Sequence, residues 1–180
     1  MKNYLEALKL IQNEVSVMGT QKLDTKSASG VTAEDALSKN PVPEFSNSAM
    51  DGYCLSSADT KSATSDNPVE LKINTIIFAG DESPPIKDGL ESYEIMTGSK
   101  MPDGMDTVLP YEKGTVIEKN GCQLLVVNEP IIKGANVRKS GEDFQKDELI
   151  LSKGTLINDY HKIGLIMNNQ EKIKIFIVFF

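Results

Sequence analysis

Residues 40–53 read Asn-Pro-Val-Pro-Glu-Phe-Ser-Asn-Ser-Ala-Met-Asp-Gly-Tyr, and we expect the rest of the chain to be organised around them. Pro41 and Pro43 fix their own φ angles and disfavour the helical region for the residues before them, which predicts an extended entry. The Asp51-Gly52 pair favours a turn, because glycine tolerates a positive φ and aspartate can bond to its own backbone. The stretch therefore predicts a rigid loop that presents a carboxylate, an amide and two hydroxyls. On this pattern alone, Asp-Gly is more often a plain turn than a catalytic site.

The composition restricts the partners that the chain can bind. Its 180 residues can bury a core, and the formal net charge of −7 argues against nucleic acid as a general partner. Of the 19 basic residues only Arg138 is an arginine, so an anion site has to use lysine, Arg138 or backbone N–H groups. The sequence has no signal-peptide pattern and no run of 18 apolar residues, so we expect a cytoplasmic protein without a membrane span.

The cysteine and histidine content restricts the chemistry. The two cysteines have no Cys-x-x-Cys spacing, which favours reduced thiols, and Cys54 is expected to be a small core residue. The single histidine, His161, makes a zinc site of Cys and His ligands or a Ser-His-Asp triad hard to build. We expect it to be a surface or half-buried helical residue.

Both ends of the chain predict helices and strands. An apolar stripe from Tyr4 to Met18 has helical spacing, and Gly19 is suited to end that helix. Thr32 is suited to cap a short second helix over residues 33–37. Beyond residue 140, the pattern predicts a strand pair around Lys153-Gly154 (148–151 with 155–157), a helix from about Asp159 capped by Asn158, and a last strand over 173–180. The apolar end of that strand predicts pairing within a sheet, a partner, or continuation into more protein.

The middle of the chain predicts short strands separated by Gly, Pro, Asn and Asp. The candidates are 69–73, 75–78, 93–96, 107–110, 115–118, 123–128 and 135–138. We therefore expect an α+β, mostly β fold: an elongated, discontinuous α/β domain built from residues 1–39 and 141–180, and an inserted antiparallel, barrel-like β domain over residues 40–140.

Four loops could carry chemistry. Residues 95–104 resemble a phosphate cradle in composition, but they lack the GxxxxGK[ST] order, so a plain hairpin turn is the favoured interpretation. Asp51, Glu112, Glu142 and Asp143 are possible Mg²⁺ ligands, because magnesium uses one or two carboxylates together with water and substrate phosphate. Spacing does not show that these four side chains converge, so the metal ligands stay unassigned.

Several motifs, in the same order along the chain, resemble one family. They are Pro-Glu-Phe-Ser-Asn-Ser-Ala-Met-Asp-Gly-Tyr (43–53), Phe-Ala-Gly (78–80), Ile-Met-Thr-Gly-Ser (95–99), Asn-Val-Arg-Lys-Ser-Gly-Glu-Asp (136–143) and Gly-Thr-Leu (154–156). Together they resemble the N-terminal region (domains I and II) of the MoeA-type molybdopterin molybdenumtransferases, which are related to the C-terminal part of gephyrin.

The resemblance implies a function, site residues and partners. Family members are homodimers that insert molybdate into adenylylated molybdopterin with Mg²⁺, in a cleft between the β domain of one subunit and the pterin-binding domain of the other. By position, Asp51, Thr97 and Asp143 match the catalytic loops: Asp51 would orient a metal-bound or protonated group, Thr97 would hydrogen-bond an oxyanion, and Asp143 would support the cleft. The substrate-binding residues implied by the same loops are Ser46, Asn47, Ser48, Gly98, Ser99, Arg138 and Glu142.

The sequence also departs from the family. Gly30, Ser56 and Glu94 occupy positions that usually carry arginine, which should weaken the attraction for an anion. Family members continue into a pterin-binding domain, and we expect this chain to stop before it and to be inactive alone. A separate protein is one source from which that domain would come. The alternative hypothesis is a non-catalytic dimerisation or binding module, or a degenerate remnant of the enzyme.

Overall fold

The structure, a computed structural model, describes residues 3–16, 18–85 and 89–177. Within these residues the protein is mostly β, with two α-helices. The helices are α1 (Tyr4–Glu14) and α2 (Asp159–Met167). The strands are β1 (Thr20–Asp24), β2 (Ala36–Leu37), β3 (Asn47–Ser48), β4 (Gly52–Leu55), β5 (Val69–Ile77), β6 (Glu91–Ile95), β7 (Thr107–Pro110), β8 (Thr115–Lys119), β9 (Cys122–Val127), β10 (Val137–Arg138), β11 (Leu149–Leu151) and β12 (Lys172–Phe176). No helix in the described ranges is both long enough and apolar enough to cross a bilayer.

The chain divides into two compact units. Met1–Asn40 and Phe144–Phe180 form the terminal unit, and Pro41–Asp143 form the central unit.

In the terminal unit, two antiparallel strand pairs enclose a small core. Strand β1 pairs with β12, and β2 pairs with β11. Helix α2 begins at the N-cap Asn158, as predicted, and His161 accepts a hydrogen bond from the backbone N–H of that cap. Gly164 lets helix α2 approach strand β11 closely, because a Cβ at this position would lie 3.3 Å from the Ile150 side chain. The buried apolar residues are Ala28, Ala36, Leu151, Ile157, Leu165, Ile173 and Ile175.

The helix predicted from Thr32 is absent, and that prediction was wrong. Thr32 is fully buried and forms an isolated bridge with Ile175. Its hydroxyl donates to the Ser152 carbonyl at 2.7 Å and accepts from the Thr155 N–H at 3.0 Å. A threonine followed by acidic residues gives the same local pattern whether its hydroxyl caps a helix or joins two loops in the core.

Two other predictions for the ends of the chain were wrong. Helix α1 ends at Glu14 with Val15 as its C-cap, so Gly19 does not terminate it. Leu149–Leu151 do not pair with 155–157: β11 pairs with β2, and Leu156 forms a bridge with Val31. The last strand ends at Phe176, and residues 178–180 of the predicted strand lie outside the described residues.

The central unit contains a six-stranded sheet with the order β7-β4-β6-β5-β9-β8. The expectation of an antiparallel barrel is corrected in two respects. Strands β5 and β6 are parallel, so the sheet is mixed. Among the described strands the sheet stays open, with β7 and β8 as its edges, and no closed barrel forms. Alternation along a strand shows which residues face a core, but it does not show which strand is the neighbour or in which direction that strand runs.

Strand β4 is buried along its whole length and begins directly after Asp51. Cys54 and Leu55 are completely buried and belong to different apolar clusters, so both faces of the strand are covered. Burial raises the pKa of the Cys54 thiol to about 12, which confirms it as a core residue rather than a nucleophile. Gly52 begins the strand where it meets β7, and a Cβ at this position would clash with the Leu109 carbonyl oxygen.

Thr32→Val should lower the free energy of unfolding by about 1 kcal/mol or more, because it removes the buried hydroxyl that bonds both to the Ser152 carbonyl and to the Thr155 N–H. Urea denaturation of the variant measures this loss. Thr20→Val, on an exposed strand position, is the control and should change stability by less than about 0.5 kcal/mol. Equal stability of the two variants would contradict the structural role of the Thr32 hydroxyl.

Gly52→Ala should destabilise the protein by roughly 1–3 kcal/mol or more, because the backbone of β7 has to move away from the new methyl group. Thermal unfolding followed by circular dichroism tests this expectation. Ser62→Ala, in an exposed turn of the same unit, should leave the melting temperature almost unchanged. An unchanged melting temperature for Gly52→Ala would show that the two strands do not approach closely.

Candidate functional site

The candidate site is built from three segments of the central unit that lie side by side: strand β3, strand β10 and residues 97–99. Strand β3 lies in the middle and pairs with β10 through Asn47–Arg138 and Ser48–Val137. On its other side, the Ser48 N–H donates to the Ser99 carbonyl at 3.0 Å, and the Gly98 N–H donates to the Ser48 carbonyl at 2.8 Å. Three of the five motifs that carry the family resemblance, 43–53, 95–99 and 136–143, therefore meet here.

The polar groups of these loops are largely used to hold the loops together. The N–H groups of Thr97, Gly98 and Ser99 all donate to acceptors within the protein. Ser99 is fully buried, and its hydroxyl donates to the Ile77 carbonyl at 3.0 Å. Residues 97–99 therefore do not present unpaired N–H groups to a phosphate.

The hydroxyls and the amide of residues 46–48 also have partners within the loops. Ser46 accepts from the Ser140 N–H at 3.2 Å, Asn47 donates to the Phe45 carbonyl, and Ser48 donates to the Met50 carbonyl. Asn47 and Ser48 are buried. These side chains fix the shape of the loop that leads to Asp51.

Asp51 and Thr97 form the central contact of the site. The Thr97 hydroxyl and the Thr97 N–H both donate to Oδ1 of Asp51, each at 2.7 Å. Both bonds favour the ionised carboxylate, and they lower the pKa of Asp51 below its ordinary value of 3.8, the hydroxyl having the larger effect. Within the described residues no hydrogen bond reaches Oδ2, and the side chain is exposed. Asp51 thus offers one oxygen of its carboxylate to a ligand, and its lowered pKa favours the ionised form.

A second carboxylate, that of Glu94, is bound by Tyr111. Glu94 pairs with Tyr53 across β6 and β4, and it accepts a hydrogen bond from the Tyr111 hydroxyl at 3.1 Å. Burial, followed by the negative charge of Glu94, raises the pKa of Tyr111 to about 12, and Asp51 adds a smaller effect. The Tyr111 ring packs edge-on against Tyr53, with ring centroids 5.1 Å apart. Tyr111 therefore stays protonated and holds Glu94 in place.

The third group is an ion pair. Arg138 donates through Nη2 to both carboxylate oxygens of Asp143, at 2.7 and 2.9 Å. Glu142 accepts from the Lys139 N–H at 2.9 Å and so closes the turn between them. Asp143 and Arg138, both expected at the site, are brought together, and each neutralises the charge of the other.

The acidic residues considered as magnesium ligands do not form a metal cluster. In residues 3–16, 18–85 and 89–177, no group of three or more His, Cys, Asp or Glu side chains could hold a metal ion. Among the described residues, the side chains of Asp51 and Asp143 share no hydrogen-bond partner. The sequence reasoning missed Tyr111, and only the pairing of β4 with β6 and β7 could have revealed that it reaches Glu94.

Thr97→Val should raise the pKa of Asp51 towards 3.8, because it removes the larger of the two effects that lower this pKa. A lowered pKa contributes stability above pH 3.8, and this contribution is lost as the pH falls through the pKa of the folded state. The difference in melting temperature between parent and variant should therefore shrink below pH 3.8. A ¹³C NMR titration of the Asp51 carboxyl measures the pKa itself. Thr115→Val, on the exposed edge strand β8, should leave this titration unchanged; an identical Asp51 pKa in parent and Thr97→Val would refute the expectation.

Comparison with known proteins finds the family that the sequence motifs resemble. Residues 2–168 match the family model of the MoeA N-terminal region (domain I and II). Molybdopterin molybdenumtransferases of Bacillus subtilis (strain 168) and Staphylococcus aureus (strain Mu50) are 34% and 32% identical to the chain over 125 and 155 residues. The matches cover 69% and 85% of this chain but 29% and 36% of those relatives. The chain thus spans about a third of the length of the curated relatives it matches.

Solved structures agree with this comparison. Two crystal structures of the molybdopterin biosynthesis MoeA protein of Pyrococcus horikoshii match with TM-scores of 0.84 and 0.81, at 29% and 28% identity. The matches cover 96% of this chain, and 43% and 45% of those chains. On the family model and these likenesses together, the chain belongs to the family of the MoeA N-terminal region, domains I and II.

Proposed function

We propose that the chain is the N-terminal, two-domain part of a molybdopterin molybdenumtransferase, which inserts molybdate into adenylylated molybdopterin during molybdenum-cofactor biosynthesis. The observation that carries the proposal is the Asp51–Thr97 contact, which joins two of the loops on which the family resemblance rests. Membership of the MoeA N-terminal family supports it.

Asp51 is the proposed catalytic residue, and its exposed Oδ2 is the atom that would hold Mg²⁺. Magnesium prefers oxygen ligands and keeps several waters, so one carboxylate oxygen is a suitable contribution from the protein. When bound, Mg²⁺ would neutralise charge on the phosphate and molybdate oxygens. Asp51 fits this role because its lowered pKa keeps it ionised at every physiological pH.

Thr97 is proposed as a positioning residue rather than as a direct donor to an oxyanion. A threonine hydroxyl has one proton, and that of Thr97 is donated to Asp51. Thr97 therefore acts by fixing the rotamer and the charge of Asp51. Asp143 would support the cleft through its pair with Arg138.

We propose that the two units divide the remaining roles. The terminal unit, which nearly coincides with residues 1–39 and 141–180, would serve dimerisation. The central unit, which nearly coincides with residues 40–140, would carry the substrate loops. The protein would act as a cytoplasmic homodimer. Because the chain spans about a third of its relatives, a pterin-binding domain, in the same polypeptide or in a separate protein, would complete the cleft.

The second candidate is a non-catalytic dimerisation or binding module. Two observations favour it: Glu94 adds a negative charge on the strand that pairs with β4, and the charge of Arg138 is paired with Asp143. Both reduce the attraction of this surface for an anion.

A fusion of this chain to the C-terminal part of the Bacillus subtilis relative should turn over molybdate, Mg²⁺ and adenylylated molybdopterin, whereas the isolated chain should not. In the fusion, Asp51→Asn should lower kcat/KM by about 100-fold, the order of magnitude lost when one transition-state contact is removed. The assay is the rate of molybdenum-cofactor formation with each purified protein.

Asp66→Asn, which changes an exposed carboxylate in the loop before β5, is the matched control and should leave the rate unchanged. A folded, dimeric fusion without activity would support the binding module instead. Turnover by the isolated chain would refute its dependence on a further domain.

A further inference from the structure

A groove of about 520 Å³ lies in the central unit, between residues 101–106 and 133–139. Its size is within the range of small-molecule sites in proteins. It shares Ser46, Val137 and Lys139 with the loops described above, but neither Asp51 nor Thr97 lines it. Its lining combines an apolar floor with charged groups at the rim.

The floor is formed by Met101, Met105 and Val137. The two methionines are only 6% and 8% exposed, and both belong to the apolar cluster that covers one face of the sheet. Their backbones are fixed, since the Met101 N–H donates to the Ser46 carbonyl at 2.9 Å and the Met105 N–H donates to the Pro102 carbonyl at 3.1 Å. Thioether sulfurs make favourable contacts with aromatic rings and adapt to their shape. The floor therefore suits a flat aromatic body.

The rim carries more positive than negative charge. Asp106 already accepts two hydrogen bonds from Ser57, at 2.7 and 3.0 Å, and its contact with the Lys133 ammonium is longer, at 3.8 Å. The Lys133 side chain is 81% exposed. The Lys139 ammonium makes no ion pair within the described part of the chain. The groove is thus lined by two lysines and by one carboxylate that already has hydrogen-bond partners, although the net charge of the protein is −7.

We propose that this groove binds a small aromatic anion: a ring held on Met101 and Met105, with one carboxylate directed to Lys133 and Lys139. Apolar contact supplies most of the affinity, and the lysines select the anion over its neutral counterpart. The proposal goes beyond the molybdenum-cofactor function and does not depend on it.

The test titrates the whole chain with 1-naphthoate and follows its methionine methyl groups by ¹³C NMR. The signals of Met101 and Met105 should shift together and saturate. Met18, Met50 and Met167 are 59%, 41% and 47% exposed and do not line the groove, so their signals should stay in place. These three report non-specific adsorption of the probe.

Two related probes separate the apolar and the charged contributions. 1-Naphthol, which keeps the rings and lacks the charge, should bind more weakly than 1-naphthoate. Acetate, which keeps the charge and lacks the rings, should cause no saturable shift. Raising the salt concentration to 0.5 M should weaken binding of 1-naphthoate towards that of 1-naphthol, because exposed charges are screened.

The lysines are tested with Lys133→Gln and Lys139→Gln, which change exposed side chains and leave the floor intact. Each should weaken 1-naphthoate about two- to five-fold, as expected for one exposed ion pair. Lys61→Gln, which removes an exposed lysine of the same unit outside the groove, should leave the affinity unchanged. Equal affinity for 1-naphthol and 1-naphthoate, equal shifts of Met50 and Met105, the same loss in Lys61→Gln, or no saturable shift would each overturn the proposal.

Discussion

The close backbone contact between Gly52 and Leu109 determines where Asp51 lies. A side chain at position 52 would collide with the Leu109 carbonyl, so only glycine lets β7 approach β4 at this point. On the other side, Gly52 pairs with Ile95, the last residue of β6. Asp51 directly precedes one strand and Thr97 follows the other by two residues, so their hydrogen bonds follow from this register. If the pairing of β4 with β6 slipped by one residue, the side chains of one strand would turn to the opposite face of the sheet, and the loops that carry Asp51 and Thr97 would separate.

The charges around Asp51 are suited to a cation rather than to a free anion. Thr97 favours the ionised form of Asp51, and Tyr111 binds a second carboxylate, that of Glu94. The only arginine of the sequence is paired with Asp143. The carboxylate of Asp51 would itself repel molybdate or a phosphate unless a cation accompanied the anion. This electrostatic arrangement is consistent with the proposal that Asp51 holds Mg²⁺ and that other groups complete the site.

The sequence predicted those elements whose signals are local. Helix α2 was predicted from its cap at Asn158, and β7 was predicted with the bounds that it has. The same reasoning failed at Thr32, because burial against Ile175 decides the role of that hydroxyl and no neighbour in sequence records it. It also missed the parallel pairing of β5 with β6, since a strand pattern does not name its partner. Asp51 and Thr97 were found by family resemblance, and only the register of the strands shows that they touch.

The loop at 95–104 shows why composition alone does not define an anion site. It has the glycines, hydroxyls and lysine of a phosphate cradle, but a cradle binds through N–H groups that lack internal partners. Here Thr97 donates to Asp51, Gly98 to the Ser48 carbonyl, and Ser99 to the Met96 carbonyl. Opening these bonds to receive an anion would separate the loops and free Asp51 from its fixed position. The hydrogen bonds that make Asp51 a well-placed ligand therefore occupy the N–H groups of residues 97–99. An oxyanion at this loop has to be bound by side chains such as that of Lys100, by a metal ion, or by the domain that we propose completes the cleft.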